Sequence, residues 1–191
     1  MYICNVFSEI IVMEIICVKD LTFSISIPEV QILERVSQVA QRLTHDLEGK
    51  NPLFLCILNG AFMFASDLMK RVNIPAEISF VKYSSYQGTQ TTGNVKEIIG
   101  LNQDITGRCV VIVEDIIDSG FTMQHLVADL KAMNPAEVHI CTLLMKPGNL
   151  KVPLDVEYCA MEIPNDFILG YGLDYDGYGR NLPDIYTVVE K

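Results

Sequence analysis

The chain has 191 residues, half of them hydrophobic and one fifth charged, which is the composition of a globular protein and not of a disordered one. That length fits a single domain with a full core, and the formal net charge of −10 argues against a nucleic-acid-binding surface. Charge or polarity interrupts every apolar run well short of the ~20 residues that cross a membrane, so no membrane partner is expected. Six cysteines, Cys4, Cys17, Cys56, Cys109, Cys141 and Cys159, are scattered without C-x-x-C spacing, and Cys56, Cys109 and Cys141 lie in apolar runs as buried thiols do. A reduced cytoplasm is the natural compartment. His45, His125 and His139 are far apart and form no metal-ligand cluster, so a structural or surface role is expected for each.

In chain order, a short strand is expected over residues 18–23, and Pro28 stands at a helix start. Val30, Ile32, Leu33, Val36, Val39, Ala40 and Leu43 then recur at helical spacing to about Leu47, where Gly49 to Pro52 break the pattern. Residues 53–58 read as a buried strand ending at Asn59-Gly60, and 61–72 as a helix with a wide apolar face. Residues 76–83 read as another strand. The polar, glycine-containing stretch 84–94 has no apolar period, so it is a surface loop, either a lid or an uncommitted hairpin. Residues 95–101 return as a strand.

The run Cys109-Val110-Val111-Ile112-Val113 is β-branched and wholly apolar, as in a strand buried on both faces of a parallel sheet. Glu114, Asp115 and Asp118 follow within five positions. Ser119-Gly120-Phe121-Thr122 then opens a helical pattern that runs to about Met133. Strand, acidic turn and helix start describe the carboxyl edge of an open α/β sheet, where such folds place ligands. Backbone N–H groups of 119–122, with two hydroxyls, would receive an anion. The carboxylates would accept bonds from a sugar diol or hold water on Mg²⁺. Acidic residues before Ser or Thr also serve as ordinary helix caps. Three mutually repelling carboxylates against an apolar strand favour function, because the sheet end gains nothing structural from them.

Residues 137–145 form a further apolar strand ending at Lys146, which reads as a solvated cap or as a cation reaching into the crevice. Residues 156–161 read as one more strand. The segment 163–175 is dense in aromatics and glycines, as in a binding loop or a tightly packed core loop.

The string Val-Ile-Val-Glu-Asp-Ile-Ile-Asp-Ser-Gly-x-Thr closely resembles the phosphoribosyl-pyrophosphate (PRPP) motif of type I phosphoribosyltransferases, and its Ile116-Ile117 spacer is most similar to the hypoxanthine-guanine branch. The resemblance extends over most of the chain after about Val18. It implies an α/β type I phosphoribosyltransferase fold: a twisted, mainly parallel sheet flanked by helices, with a small hood subdomain. The chain would be a single domain, with the core over about 28–146 and the hood drawn from about 18–27 and 147–191.

The same resemblance implies roles. Asn59 and Gly60 match the pyrophosphate loop, where a strained, often cis, peptide presents backbone N–H groups. The family pattern carries Lys where this chain has Asn59, which removes one charge. Ser85 and Tyr86 match the catalytic dyad of a mobile loop. Glu114 and Asp115 would hold the ribose hydroxyls and, with Asp174, Mg²⁺. Ile116, Ile117, Asp118, Ser119, Gly120, Phe121 and Thr122 would complete the nucleotide site, with Arg180 on pyrophosphate. Lys146 would donate to a purine 6-oxo group, Phe167 stack on the base, and the backbone of Ile168 read its edge. Asp118 would be the general base, taking the N7 proton as N9 attacks.

The implied activity is purine salvage: transfer of phosphoribosyl from PRPP to a 6-oxopurine, hypoxanthine and also guanine, releasing pyrophosphate and a purine mononucleotide. A homodimer or homotetramer is implied. The competing readings are a xanthine-preferring or pyrimidine enzyme, a non-catalytic PRPP-sensing regulator, and a receiver-type phosphorylation domain. Asp118, the platform at Phe167 and the lack of an added basic face argue against the regulator.

Residues 1–12 are apolar but lack a basic n-region and contain Glu9, so they make a poor signal peptide. The expectation is that translation begins at Met13 and that 1–12 are an extension. Intact mass of the native protein checks this, and a mass that includes Met1 would refute it.

Overall fold

The wholly apolar run at 109–113 forms the first half of the strand around which a six-stranded sheet is built. The computed structural model describes residues 15–84, 97–99 and 101–189. Within them lie β1 (Ile15–Val18), β2 (Leu21–Ile27), α1 (Glu29–Asp46), β3 (Leu53–Ile57), α2 (Phe62–Met69), β4 (Glu77–Ser84), β5 (Glu97–Ile99), β6 (Cys109–Ile117), α3 (Phe121–Lys131), β7 (Glu137–Met145), β8 (Tyr158–Glu162), β9 (Ile168–Leu169) and β10 (Ile185–Val188). The large sheet has the order β5-β4-β3-β6-β7-β8, with β4, β3, β6, β7 and β8 parallel and β5 antiparallel at the edge.

Strands of a parallel sheet are covered on both faces, and β3 accordingly is buried at every residue. One face packs Phe54, Cys56, Val111, Val113 and Leu143 against Ile32, Val36 and Leu43 of α1 and Phe64 and Leu68 of α2. The opposite face packs Leu53, Leu55, Val110 and Ile112 against Met123, Leu126 and Leu130 of α3. Alternation along each strand therefore feeds two separate cores. Each such fully buried aliphatic side chain stabilises the fold by about 1.5–3 kcal/mol.

The small sheet, β1-β2-β10-β9, is antiparallel throughout and has its own core of Phe23, Leu169 and Tyr186. It is the hood. The single strand expected over 18–23 is instead a hairpin: Lys19, at φ 54°, turns the chain between β1 and β2. The turn is made by Lys19-Asp20, which contain neither glycine nor proline to mark it in the sequence. The segment 147–191 divides between the two sheets, since β8 joins the large one and β9 and β10 the small one. β6 runs four residues beyond the apolar stretch, so Glu114 and Asp115 lie on a strand and the turn falls at 118–120. No helix among the described residues is long and apolar enough to cross a membrane.

Tyr171 ties hood to core. Its ring is fully buried and its hydroxyl donates to Asp67 Oδ2 of α2 at 2.7 Å. Tyr171→Phe keeps the packing and removes a bond to a charged acceptor, so it should cost about 2 kcal/mol in urea unfolding. An unchanged midpoint would show that the tether contributes nothing.

Candidate active site

Parallel pairing of β6 with β7 runs to Ile117↔Met145, so the next residues of each strand, Asp118 and Lys146, leave the sheet side by side. Lys146 Nζ donates to Asp118 Oδ2 at 3.1 Å. Beyond Lys146, a 3-10 turn at Pro147–Asn149 folds the chain back, and Asn149 Nδ2 donates to Asp118 Oδ1. Backbone bonds lock the two loops together as well: Lys146 N–H to Ile117 O and Lys151 N–H to Ser119 O, both at 3.0 Å. Burial alone would raise the pKa of Asp118. The bonds from Asn149 and Lys146, with the charges of Lys146 and Lys151, outweigh it and hold the carboxyl below its usual value.

Gly120, at φ 83°, starts α3 in the left-handed region, and a Cβ there would press on Val152 and Leu150. A cavity of about 130 Å³ opens at this helix start, lined by Glu114, Ile116, Ile117, Asp118, Ser119, Gly120, Thr122 and Met123. The first-turn N–H groups of a helix have no intrahelical acceptor, so they are free to meet an anion there. Phe121 is on the outside, nearly half exposed. Burial drives the pKa of Glu114 well up, and the charge of adjacent Asp115 drives it further. On neighbouring β3, the Cys56 thiol is pushed up to about 12 by burial and then by the same two carboxylates.

The loop after β3 meets Asp115 directly. The Leu58–Asn59 peptide is cis. A Cβ at Gly60 would fall inside the Asp115 carboxylate, and one at Gly172 would fall on the Gly60 carbonyl oxygen. The loop at 58–60 is thus sandwiched between the end of β6 and the hood loop at 172. Arg180 secures that hood loop: Nη1 donates to Gly172 O at 2.7 Å and Nη2 pairs with Asp174 Oδ1 at 2.6 Å. The other oxygen of Asp174 accepts from Gly177 N–H at 2.7 Å. Asp174 is therefore engaged by the hood itself, and its expected cation role requires Arg180 to exchange partners.

Phe167 is 44% exposed, and its ring lies 6.1 Å from Phe23 and 5.6 Å, edge-on, from Tyr175. One side is fixed by aromatic neighbours while another faces solvent, as a stacking platform requires. Ile168 beside it is buried in β9. Ser85 and Tyr86 lie outside the described residues. Sequence reasoning missed Asn149. The Lys-Pro-Gly-Asn string is turn-forming, but which carboxylate the turn presents Asn149 to depends on strand register.

Asn149→Ala should raise the pKa of Asp118, read by NMR titration of its carboxyl carbon. A depressed pKa stabilises the fold fully above the ordinary value of about 3.9, and the benefit is lost as pH falls through the lower folded value. The variant should therefore lose stability at a higher pH than the unaltered chain. An unmoved titration would show that Asn149 does not hold Asp118.

A family model described as phosphoribosyl transferase domain matches residues 29–176. The bifunctional protein TilS/HprT of Listeria monocytogenes serotype 4b (strain F2365) is 42% identical over 160 residues, which are 83% of this chain and 25% of that protein. The chain thus spans about a quarter of the length of that relative. The hypoxanthine-guanine-xanthine phosphoribosyltransferase of Tritrichomonas foetus is 40% identical, over 84% of this chain and 88% of its own. A crystal structure of a hypoxanthine-guanine phosphoribosyltransferase from Bacillus anthracis str. 'Ames Ancestor' superposes with a TM-score of 0.78 at 39% identity, covering 86% of this chain and 96% of that one. A matching family model over most of the chain, together with relatives covered nearly end to end, establishes that the chain belongs to the phosphoribosyltransferase family.

Proposed function

We propose that the chain transfers phosphoribosyl from PRPP to the ring nitrogen of hypoxanthine and guanine, forming a purine mononucleotide and pyrophosphate in purine salvage. The observation that carries this reading is Asp118, held ionised by Lys146 and Asn149 at the rim of the cavity at the start of α3. The 5′-phosphate belongs at the first turn of α3, where N–H groups and the Ser119 and Thr122 hydroxyls are available. Glu114 and Asp115 accept from the ribose hydroxyls.

The same two carboxylates fit Mg²⁺: they are hard oxygen donors, adjacent at one strand end, whose mutual repulsion a divalent cation relieves. When bound, the cation neutralises charge on the departing pyrophosphate. The backbone of Asn59 and Gly60, with Arg180 once freed from Asp174, receives that leaving group. Phe167 stacks on the purine and Lys146 donates to its 6-oxo oxygen. Lys146 then shares its attention between base and Asp118, which keeps the carboxylate at the purine edge. Asp118 takes the N7 proton as N9 attacks and steadies the positive charge on base and ribose. Closure of the loop bearing Ser85 and Tyr86 excludes water that would trap the cationic ribose. The active form is cytoplasmic and homo-oligomeric.

A spectrophotometric assay with PRPP, Mg²⁺ and each of hypoxanthine, guanine, xanthine and adenine tests the reading. Turnover of hypoxanthine supports it. Xanthine alone would move the assignment within the family, and PRPP binding without turnover of any base would leave a sensor. Asp118→Asn should lower turnover by about 10²–10⁴ with little change in PRPP affinity, and equal losses in both would remove Asp118 from the base role.

A further inference from the structure

We propose that Cys109, Glu137 and His139 form a binding site for a borderline divalent cation, Zn²⁺ by preference, at the amino-terminal edge of the large sheet. Cys109 opens β6 and pairs in register with Glu137, which opens β7, and His139 lies two residues on, on the same face of that strand. One donor atom from each residue lies within 4.8 Å of the others. Cys109 is roughly 30 Å from Asp118, nine residues along β6 and its end at about 3.3 Å per residue.

A thiolate, an imidazole and a carboxylate suit Zn²⁺, which takes three protein ligands and a water at an open position. Bond lengths of 2.0–2.3 Å set donors roughly 3.3–3.8 Å apart around a tetrahedral ion, so the three groups need close by only about 1 Å.

The environment of His139 supplies a second, independent observation. Its Nε2 lies 2.8 Å from Glu137 Oε2, while its Nδ1 is buried and makes no hydrogen bond. Glu157 Oε1 stands 3.4 Å from that Nδ1. With a metal on Nε2, the ring proton moves to Nδ1 and faces Glu157. This is the carboxylate–histidine–metal arrangement that fixes ligating imidazoles, and it gives the orphaned nitrogen a partner. The Cys109 thiol loses its proton to solvent as the Zn–S bond forms.

Lys50 Nζ currently holds both oxygens of Glu137, at 2.7 and 3.0 Å. It occupies the charge position a metal would take, so cation binding must displace it.

The test is titration of the full chain with Co²⁺, competed by Zn²⁺, read by thiolate-to-cobalt charge-transfer absorption. The unaltered chain should show the band. Cys109→Ser should abolish it, Glu157→Gln should weaken binding about tenfold, and Lys50→Gln should tighten it about threefold. Glu114→Gln with Asp115→Asn should leave the band intact, separating this site from the one at the other end of β6. If Cys109→Ser fails to fold, His139→Gln takes its place and should weaken binding at least tenfold. Absence of the band in the unaltered chain, its survival in Cys109→Ser, or weaker binding in Lys50→Gln would overturn the proposal.

Discussion

The register of β6 against β7 is the constraint from which the candidate site follows. Because Ile117 pairs with Met145, the residues that leave each strand are a carboxylate and an ammonium at hydrogen-bonding distance. A slip of one residue would turn every side chain of the strand to the other face. Two separate cores, one against α1 and α2 and one against α3, make that slip prohibitive. The chemistry at the rim is thus held by burial in the interior. Asp118 is itself only moderately shielded, so the ion pair with Lys146 is a result of the register and contributes little to it.

Close backbone approach supplies the second constraint. Asp115 sits where a side chain at 60 would be, and the Gly60 carbonyl sits where one at 172 would be. Removing two Cβ atoms lets strand end, loop and hood loop stack at van der Waals distance. The hood is then positioned by contacts of differing kind: the Tyr171–Asp67 bond, the Arg180 fork across Gly172 and Asp174, and the ring cluster of Phe23, Phe167 and Tyr175. Phe167 gains a fixed orientation from this last group while keeping an open face.

The legibility of these features in the sequence follows the range of the interactions behind them. The central strand, its two neighbours and α1 could be read from local apolar period, because burial on both faces writes itself into every residue of 109–113 and 53–57. The helix start at 119–122 was legible because glycine and hydroxyl residues sit next to the strand that aims them. The β1–β2 hairpin was not, since its turn at Lys19 carries no glycine or proline to mark it. Asn149 was invisible for another reason: its partner lies 31 residues away, and only the pairing of two strands brings them together.

The same distinction separates the two ends of β6. At its carboxyl end the functional groups are close in sequence, so a motif can be recognised. At its amino end Cys109, Glu137 and His139 are assembled from two strands by register alone, and scanning for ligand spacing passes over them. Parallel pairing makes both clusters from one rule, since residues that start adjacent strands become neighbours just as residues that end them do. The carboxyl end adds helix N-termini, which favour anions. The amino end has the turn after α1, from which Lys50 reaches Glu137, so the donors there face a cation instead. On the two proposals, the helix start draws the phosphate to the carboxyl edge, and the thiol, imidazole and carboxylate draw a softer cation to the amino edge.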